Sequence, residues 1–200
     1  MQNSLKFFMF FLCFFSLSLF AYEEIRDKST GLSFPLQVSF QVNGKDYLLK
    51  ATGVSTRKKF FVKVYTIASY LQTGLPASSG DNLLQQIMQD NTAKQLTLKW
   101  VHDASSDKIQ EGYHDSFNKV LNGSQLQNEV NTFVGFFKQG AKVGDEHILR
   151  WAPGGYVEVF VNGNKVGSLT NSDFAKALWS IWFGPNSVVD RDSLVSGSAF

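Results

Sequence analysis

The chain has 200 residues, 44% of them hydrophobic and 18% charged, with a formal net charge of +2. That length supports one domain with a full core and is too short for two ordinary ones, and the composition is that of a globular chain rather than a disordered one. The 19 basic residues are scattered, so the basic stripe that a phosphate backbone demands is missing and nucleic acid is not an expected partner.

The N-terminus carries Lys6 ahead of an uninterrupted run of apolar residues and serines from Phe7 to Phe20, then Ala21 before the acidic Tyr22-Glu23-Glu24. The run is short of the about 20 apolar residues that a membrane span needs. Residues 1–21 are therefore expected to be a cleaved secretory signal peptide, with one domain over 22–200 and no membrane span once the signal is gone. A retained membrane anchor is the alternative. On the first reading the protein is exported, to the periplasm or the medium. Cys13 is the only cysteine; it lies inside the run behind Leu12, not behind the small residue of a lipidation signal. Without it the mature chain has no disulfide, no cysteine nucleophile and no thiolate metal site.

Leu36 to Val42 alternates apolar and polar residues, Asn43-Gly44 marks a tight turn, and Asp46 to Ala51 returns as a partner strand. Gly53 to Lys59 reads as a basic, glycine-started turn leading into a long strand, Phe60 to Leu71. The even positions of that strand suit a packed face, and the odd ones, Phe61, Lys63, Tyr65, Ile67 and Ser69, look like the wall of something. After a Gly/Pro/Ser loop, Asp81 is placed to cap a short helix through Gln89, and Leu96 to Val101 reads as a central strand.

Ser105 or Ser106 then caps a helix with Ile109, Tyr113, Phe117 and Val120 at helical spacing. Ser124 and Gln127 form a capping-box pattern ahead of a second apolar stripe, Leu126 to Phe137, ending at Gly140. Three strands follow near Glu146–Trp151, Tyr156–Val161 and Lys165–Leu169, with Pro153-Gly154-Gly155 and Asn162-Gly163-Asn164 as their turns. Asn171 caps a last helix that buries Phe174, Leu178, Ile181 and Trp182 and stops at Gly184-Pro185; Asp190 to Val195 adds one more turn. The order of elements predicts an α+β fold, an antiparallel sheet covered on one face by helices.

The usual catalytic and cofactor signatures are missing: no G-x-S-x-G elbow, no H-E-x-x-H pair, no P-loop and no dinucleotide fingerprint. No cofactor or metal is expected. His102, His114 and His147 stand far apart, and the pairs His102-Asp103 and His114-Asp115 are more often surface or partly packed groups than oriented bases. Glu111, Asp115, Glu129 and Glu158 show no spacing that demands paired acid/base work.

The run Gly53 to Leu71 resembles the G-x-x-x-R-x-K-F-F-x-K-V-Y-x-x-x-x-Y-L segment of the chalcone isomerase-like proteins, most closely their secreted bacterial branch. Asp173 to Gly184 is similar to that family's F-x-x-A-L-x-x-I-W-x-G helix. The resemblance covers residues 36–196 and implies an open-faced β-sandwich with a cleft between sheet and helices. It also implies that Arg57 faces the oxygen atoms of a flat or elongated apolar ligand, since a guanidinium holds a carboxylate or phenolate through charge-assisted bonds. Without the resemblance, Arg57-Lys58-Lys59 is a solvent-facing strand end.

Two positions depart from the family's isomerases. Tyr65 stands where they carry a threonine that helps to order a catalytic water, and a tyrosine beside an arginine suits a carboxylate, as in the family's fatty-acid-binding relatives. Ile109 stands where they carry a tyrosine, and Tyr113, one turn later, is the one weak catalytic candidate, although it also fits the apolar stripe. Lys63 either adds a positive charge to the cleft or lays its stem over the sheet with its ammonium in water. The implied function is a non-catalytic binder of a small apolar or amphipathic ligand such as a fatty acid, held by Arg57, Tyr65 and Lys63. The alternatives are an intramolecular lyase (isomerase) that closes a ring by adding an oxygen nucleophile to an enone, and an envelope interaction module with no small ligand.

Overall fold

Both Asn-Gly pairs make the turns expected of them. Asn43 and Gly44 take φ of 51° and 75°, and Asn162 and Gly163 take 49° and 78°; left-handed backbone at both central residues belongs to the turn whose twist matches a β-hairpin. The hairpins so formed are parts of one antiparallel meander. A computed structural model describes residues 23–197 apart from 75, 122 and 124. The expected signal peptide and Ser124, expected to cap a helix, lie outside the described residues.

Seven strands pair in chain order: β3 (Gln37–Val42), β4 (Lys45–Lys59), β5 (Val62–Leu71), β6 (Lys94–Trp100), β7 (Glu146–Ala152), β8 (Tyr156–Val161) and β9 (Asn164–Thr170). Two three-residue strands precede them, β1 (Glu24–Arg26) and β2 (Ser33–Pro35), paired with each other. Helix α1 (Gly80–Gln89) joins β5 to β6, while α2 (Ser106–Val120) and α3 (Gln127–Val134) join β6 to β7. Helix α4 (Ser172–Phe183) and a 3-10 turn (Ser193–Val195) close the chain. The seven-stranded sheet curls into a half-barrel with the helices over its concave side, as an open-faced sandwich requires.

The helices begin and end where their capping residues dictate. Ser105 accepts from Lys108 N at the head of α2, and the Asn171 side chain accepts from Asp173 N and Phe174 N at the head of α4. Each such bond satisfies a donor that the first turn leaves free. Two expected caps differ. Ser79, with no side-chain bond, precedes α1, so Asp81 lies in the first turn, where it pairs with Arg191 at 2.7 Å. Leu126, also without a side-chain bond, precedes α3, which stops at Val134; Phe137 lies beyond it, yet is buried.

Most of α4 is buried, including Phe174, Leu178, Trp179, Trp182 and Phe183. It packs between α1, α2 and the sheet, and each such large side chain withdrawn from water stabilises the fold by roughly 1.5–3 kcal/mol. The opposite face of the sheet is covered at one end by the β1–β2 hairpin, where Phe34 and Tyr70 are fully buried in a second, smaller core.

The basic, glycine-started turn does not exist: Gly53 to Lys59 continues β4 to 15 residues. The register with β5 passes from Ala51↔Tyr70 to Gly53↔Ser69, which leaves Thr52 as the extra residue of a bulge. Thr52 uses it to bond Ser69 Oγ at 2.8 Å and Leu194 O at 2.9 Å. Gly53 is required there, because a Cβ would lie 2.2 Å from Ser193 O. Phe60 and Phe61, read as the start of a strand, are instead the two-residue turn between β4 and β5. Nor is only one face of β5 packed: Tyr65 and Ile67 join the helix-side core, and Ala68 and Tyr70 the other.

Candidate functional site

A cavity of about 360 Å³ opens between the β4–β5 end of the sheet, the segment that follows β6 and the first half of α2. Val62, Val64, Trp100 and Ile109 make its walls apolar. Arg57, Tyr65 and Tyr113 bring the polar atoms. The structure thus brings together three of the four residues singled out in the sequence.

A second bulge aims these side chains. The register passes from Arg57↔Tyr65 to Lys58↔Lys63, so Val64 is an extra residue on β5. The strand's alternation slips by one residue there. Consecutive Val64 and Tyr65 both reach the cavity, whereas Lys63, which should share a face with Tyr65, is turned away. The Lys63 ammonium donates to Ser29 O beside the N-terminal hairpin, and the residue does not line the cavity. The structure thus places Lys63 outside the cavity that holds Arg57 and Tyr65.

Arg57 lies across the ladder from Tyr65, with its guanidinium carbon 5.7 Å from the ring centroid. On its other side is α2: a Cβ built on Gly112 would sit 3.8 and 3.9 Å from the two terminal nitrogens. Among the described residues Arg57 forms no ion pair; Asp103, at the rim, is engaged by Lys142 at 2.9 Å, and Asp115 shares a surface groove with Arg57 without pairing with it. Burial alone would lower the Arg57 pKa, but Tyr65, Tyr113 and Asp115 together offset this and raise it. The charge is permanent, and among the described residues no carboxylate forms a salt bridge with it.

Tyr65 is 3% exposed, and its hydroxyl accepts a hydrogen bond from Trp182 Nε1 at 3.0 Å. That fixes the oxygen's orientation and leaves its own proton to be given away, with no protein acceptor among the described residues. Tyr113 stacks on Phe137, with ring centroids 4.9 Å apart, and meets Phe133 edge-on. Burial raises its pKa far above the ordinary phenol, so it remains a neutral donor. Behind this wall His147 lies between Trp100 and Phe137, and burial lowers its pKa to about 4. It is a neutral packing group, not a base in the cavity. His102 lies at the rim, and His114 does not line the cavity.

Trp100, Gly112 and Trp182 shape the site without having been singled out. Gly112 lies against the guanidinium, but a Cβ there would meet its nitrogens only at ordinary contact distance, so the packing does not by itself require a glycine. The bond from Trp182 to Tyr65 spans 117 positions of sequence and has no local signature. Among the described residues no group of three His, Cys, Asp or Glu side chains is placed to hold a metal, and no helix is long and apolar enough to cross a membrane.

A curled antiparallel sheet that holds a largely apolar cavity beneath a helix, with a cation and a phenol from the sheet and a second phenol from the helix, defines the α+β class of the protein. The chain belongs to the chalcone isomerase-like family, whose match spans residues 28–194. Among solved structures, a fatty-acid binding protein of Arabidopsis thaliana is similar, with a TM-score of 0.70 and 19% identity over 87% of this chain and 96% of that one. At that identity the likeness is one of fold. A search of curated proteins finds no match.

Proposed function

We propose that the protein is a non-catalytic binder of a small amphipathic anion, a fatty acid or a compound built like one, and that it is exported as part of the family's secreted bacterial branch. One observation carries the ligand class: Arg57, partly buried and without a salt-bridged carboxylate among the described residues, faces an apolar cavity beside two phenols. A carboxylate seated there would accept from the guanidinium and from the Tyr65 hydroxyl, while its chain lay along Val62, Val64, Trp100 and Ile109. The similarity of fold to a fatty-acid binding protein supports this reading.

Ring closure as in an isomerase is disfavoured by the lining itself. Ile109 can neither give nor take a proton, and the neutral Tyr113 phenol, with its pKa far above neutrality, is no base. Mass spectrometry of lipids extracted from the purified protein, followed by calorimetric titration with the recovered acid, tests the binder. Saturable binding of the acid is expected. Rapid turnover of a chalcone panel, or failure of every fatty acid to bind, overturns it. N-terminal sequencing of envelope protein is expected to start close to Tyr22; an intact Met1 in a membrane fraction overturns the export reading.

A further inference from the structure

The turn between β4 and β5 is built against its own chemistry. Phe60 takes φ of 58° while Phe61 is not left-handed, a turn whose first central position belongs to glycine. A bulky side chain is strained in that conformation. The sheet's two other two-residue turns use Asn-Gly, so the phenylalanines are not a default of this fold. They are also the most exposed large apolar side chains described, at 89% and 101%, with Val62 beside them at 45%. Backbone strain and exposed aromatic surface are two separate costs, both met at one tip.

The surroundings of the tip select its partner. Residues 57–63 read Arg-Lys-Lys-Phe-Phe-Val-Lys, with no acid among them. Lys58 and Lys59 are exposed and lack an ion pair among the described residues. The acids nearest on α2 are Glu111, paired with Lys108, and Asp115, on the wall that also holds Lys119. Aromatic rings projecting beyond a collar of lysines match the interface of an anionic bilayer, where rings enter the headgroup layer and ammonium groups meet lipid phosphates. The tip is also continuous with the cavity, because Lys59, Phe60 and Val62 line its mouth.

We propose that the β4–β5 hairpin tip docks the protein on an anionic lipid bilayer and sets the cavity mouth against it, so that an amphipathic anion passes between membrane and cavity without crossing bulk water. Docking stands on the tip alone; passage of the ligand rests on the function proposed above.

Flotation with phosphatidylcholine vesicles, with and without phosphatidylglycerol, tests docking on the unliganded protein. Binding is expected only to the anionic vesicles, weakening as salt rises from about 0.1 M to about 0.5 M. Phe60→Gly with Phe61→Ser should abolish it, and Lys58→Glu with Lys59→Glu should weaken it about tenfold or more. Phe60→Gly alone removes the strained conformation, so its Tm should be unchanged or higher while vesicle affinity falls, which separates lost docking from lost fold. Phe61→Trp should shift its emission to the blue on anionic vesicles and be quenched by lipids labelled near the headgroup. Acid affinity in solution should survive in Phe61→Ser alone, because Phe61 does not line the cavity, so failure of docking and failure of ligand binding are told apart. Vesicle binding that ignores the tip variants overturns the proposal, and so does loss, in those variants, of a dimer instead of vesicle binding.

Discussion

Tyr65 is held from two sides: Arg57 lies over its ring at 5.7 Å, and Trp182 Nε1 donates to its hydroxyl at 3.0 Å. The first contact faces the cavity and the second faces the core. On the proposed function, ligand affinity and fold stability therefore meet at one side chain, and replacing Arg57 rather than Tyr65 is the change that separates them.

Arg57→Met should weaken a carboxylate ligand by about 10- to 100-fold, since a hydrogen bond to a charged group contributes roughly 1.5–3 kcal/mol. A fatty alcohol of the same chain length should lose far less. Calorimetric titration with both ligands checks this, and equal losses would remove Arg57 as the carboxylate anchor.

Tyr65→Phe should cost stability as well as affinity. It leaves Trp182 Nε1 without a partner in a side chain that is 0% exposed, a penalty of about 1–3 kcal/mol. Chemical denaturation of the unliganded variant measures it. An unchanged midpoint would mean that the Trp182 bond contributes little.

His147 should make the protein acid-sensitive above the carboxylate range. Its folded pKa is near 4 against an ordinary 6.5, so in that window the unfolded chain binds the extra proton and stability falls as pH falls. The loss should reach up to about 3 kcal/mol by the bottom of the window. His147→Leu should flatten this part of the stability profile, as followed by denaturation at a series of pH values.

Lys94 works in the opposite range. It is 0% exposed, donates to Asp90 O, lies 3.9 Å from the Trp151 ring centroid and has its pKa lowered by burial to about 8 against 10.5. Between those two values the unfolded chain holds the proton more tightly, so stability should rise with pH there and be flat below. Lys94→Met should stabilise the protein near neutral pH by up to about 3 kcal/mol, less the lost cation–π contact. It should also remove the alkaline slope.

What the sequence disclosed follows the range over which each signal acts. Helices α2 and α4 were legible because Ser105 and Asn171 cap them and their apolar residues recur at helical spacing. Strand β8 was legible because Gly155 and Gly163 bracket a dense apolar run. Strand β4 was cut short since Gly53, the mark of a close approach by the chain's C-terminal turn, looks the same as a turn glycine. The ordinary β preference of aromatics draws Phe60 and Phe61 into a strand, and says nothing of an exposed two-residue turn. Arg57, Tyr65 and Tyr113 line the cavity; Lys63 lies outside it because a bulge that leaves no local mark in the sequence shifts the alternation.

The sheet's strands neighbour one another in the order in which they are synthesised, from β3 to β9, so each new strand can pair with the one made just before it. Helix α4 comes after all of them, and Trp182 reaches back to Tyr65 across 117 positions. The polar end of the cavity is therefore fixed only once the last helix has docked. Contacts of such long range are slow to form, so, on the function proposed above, ligand capture is expected to come late and to report that the last helix has docked.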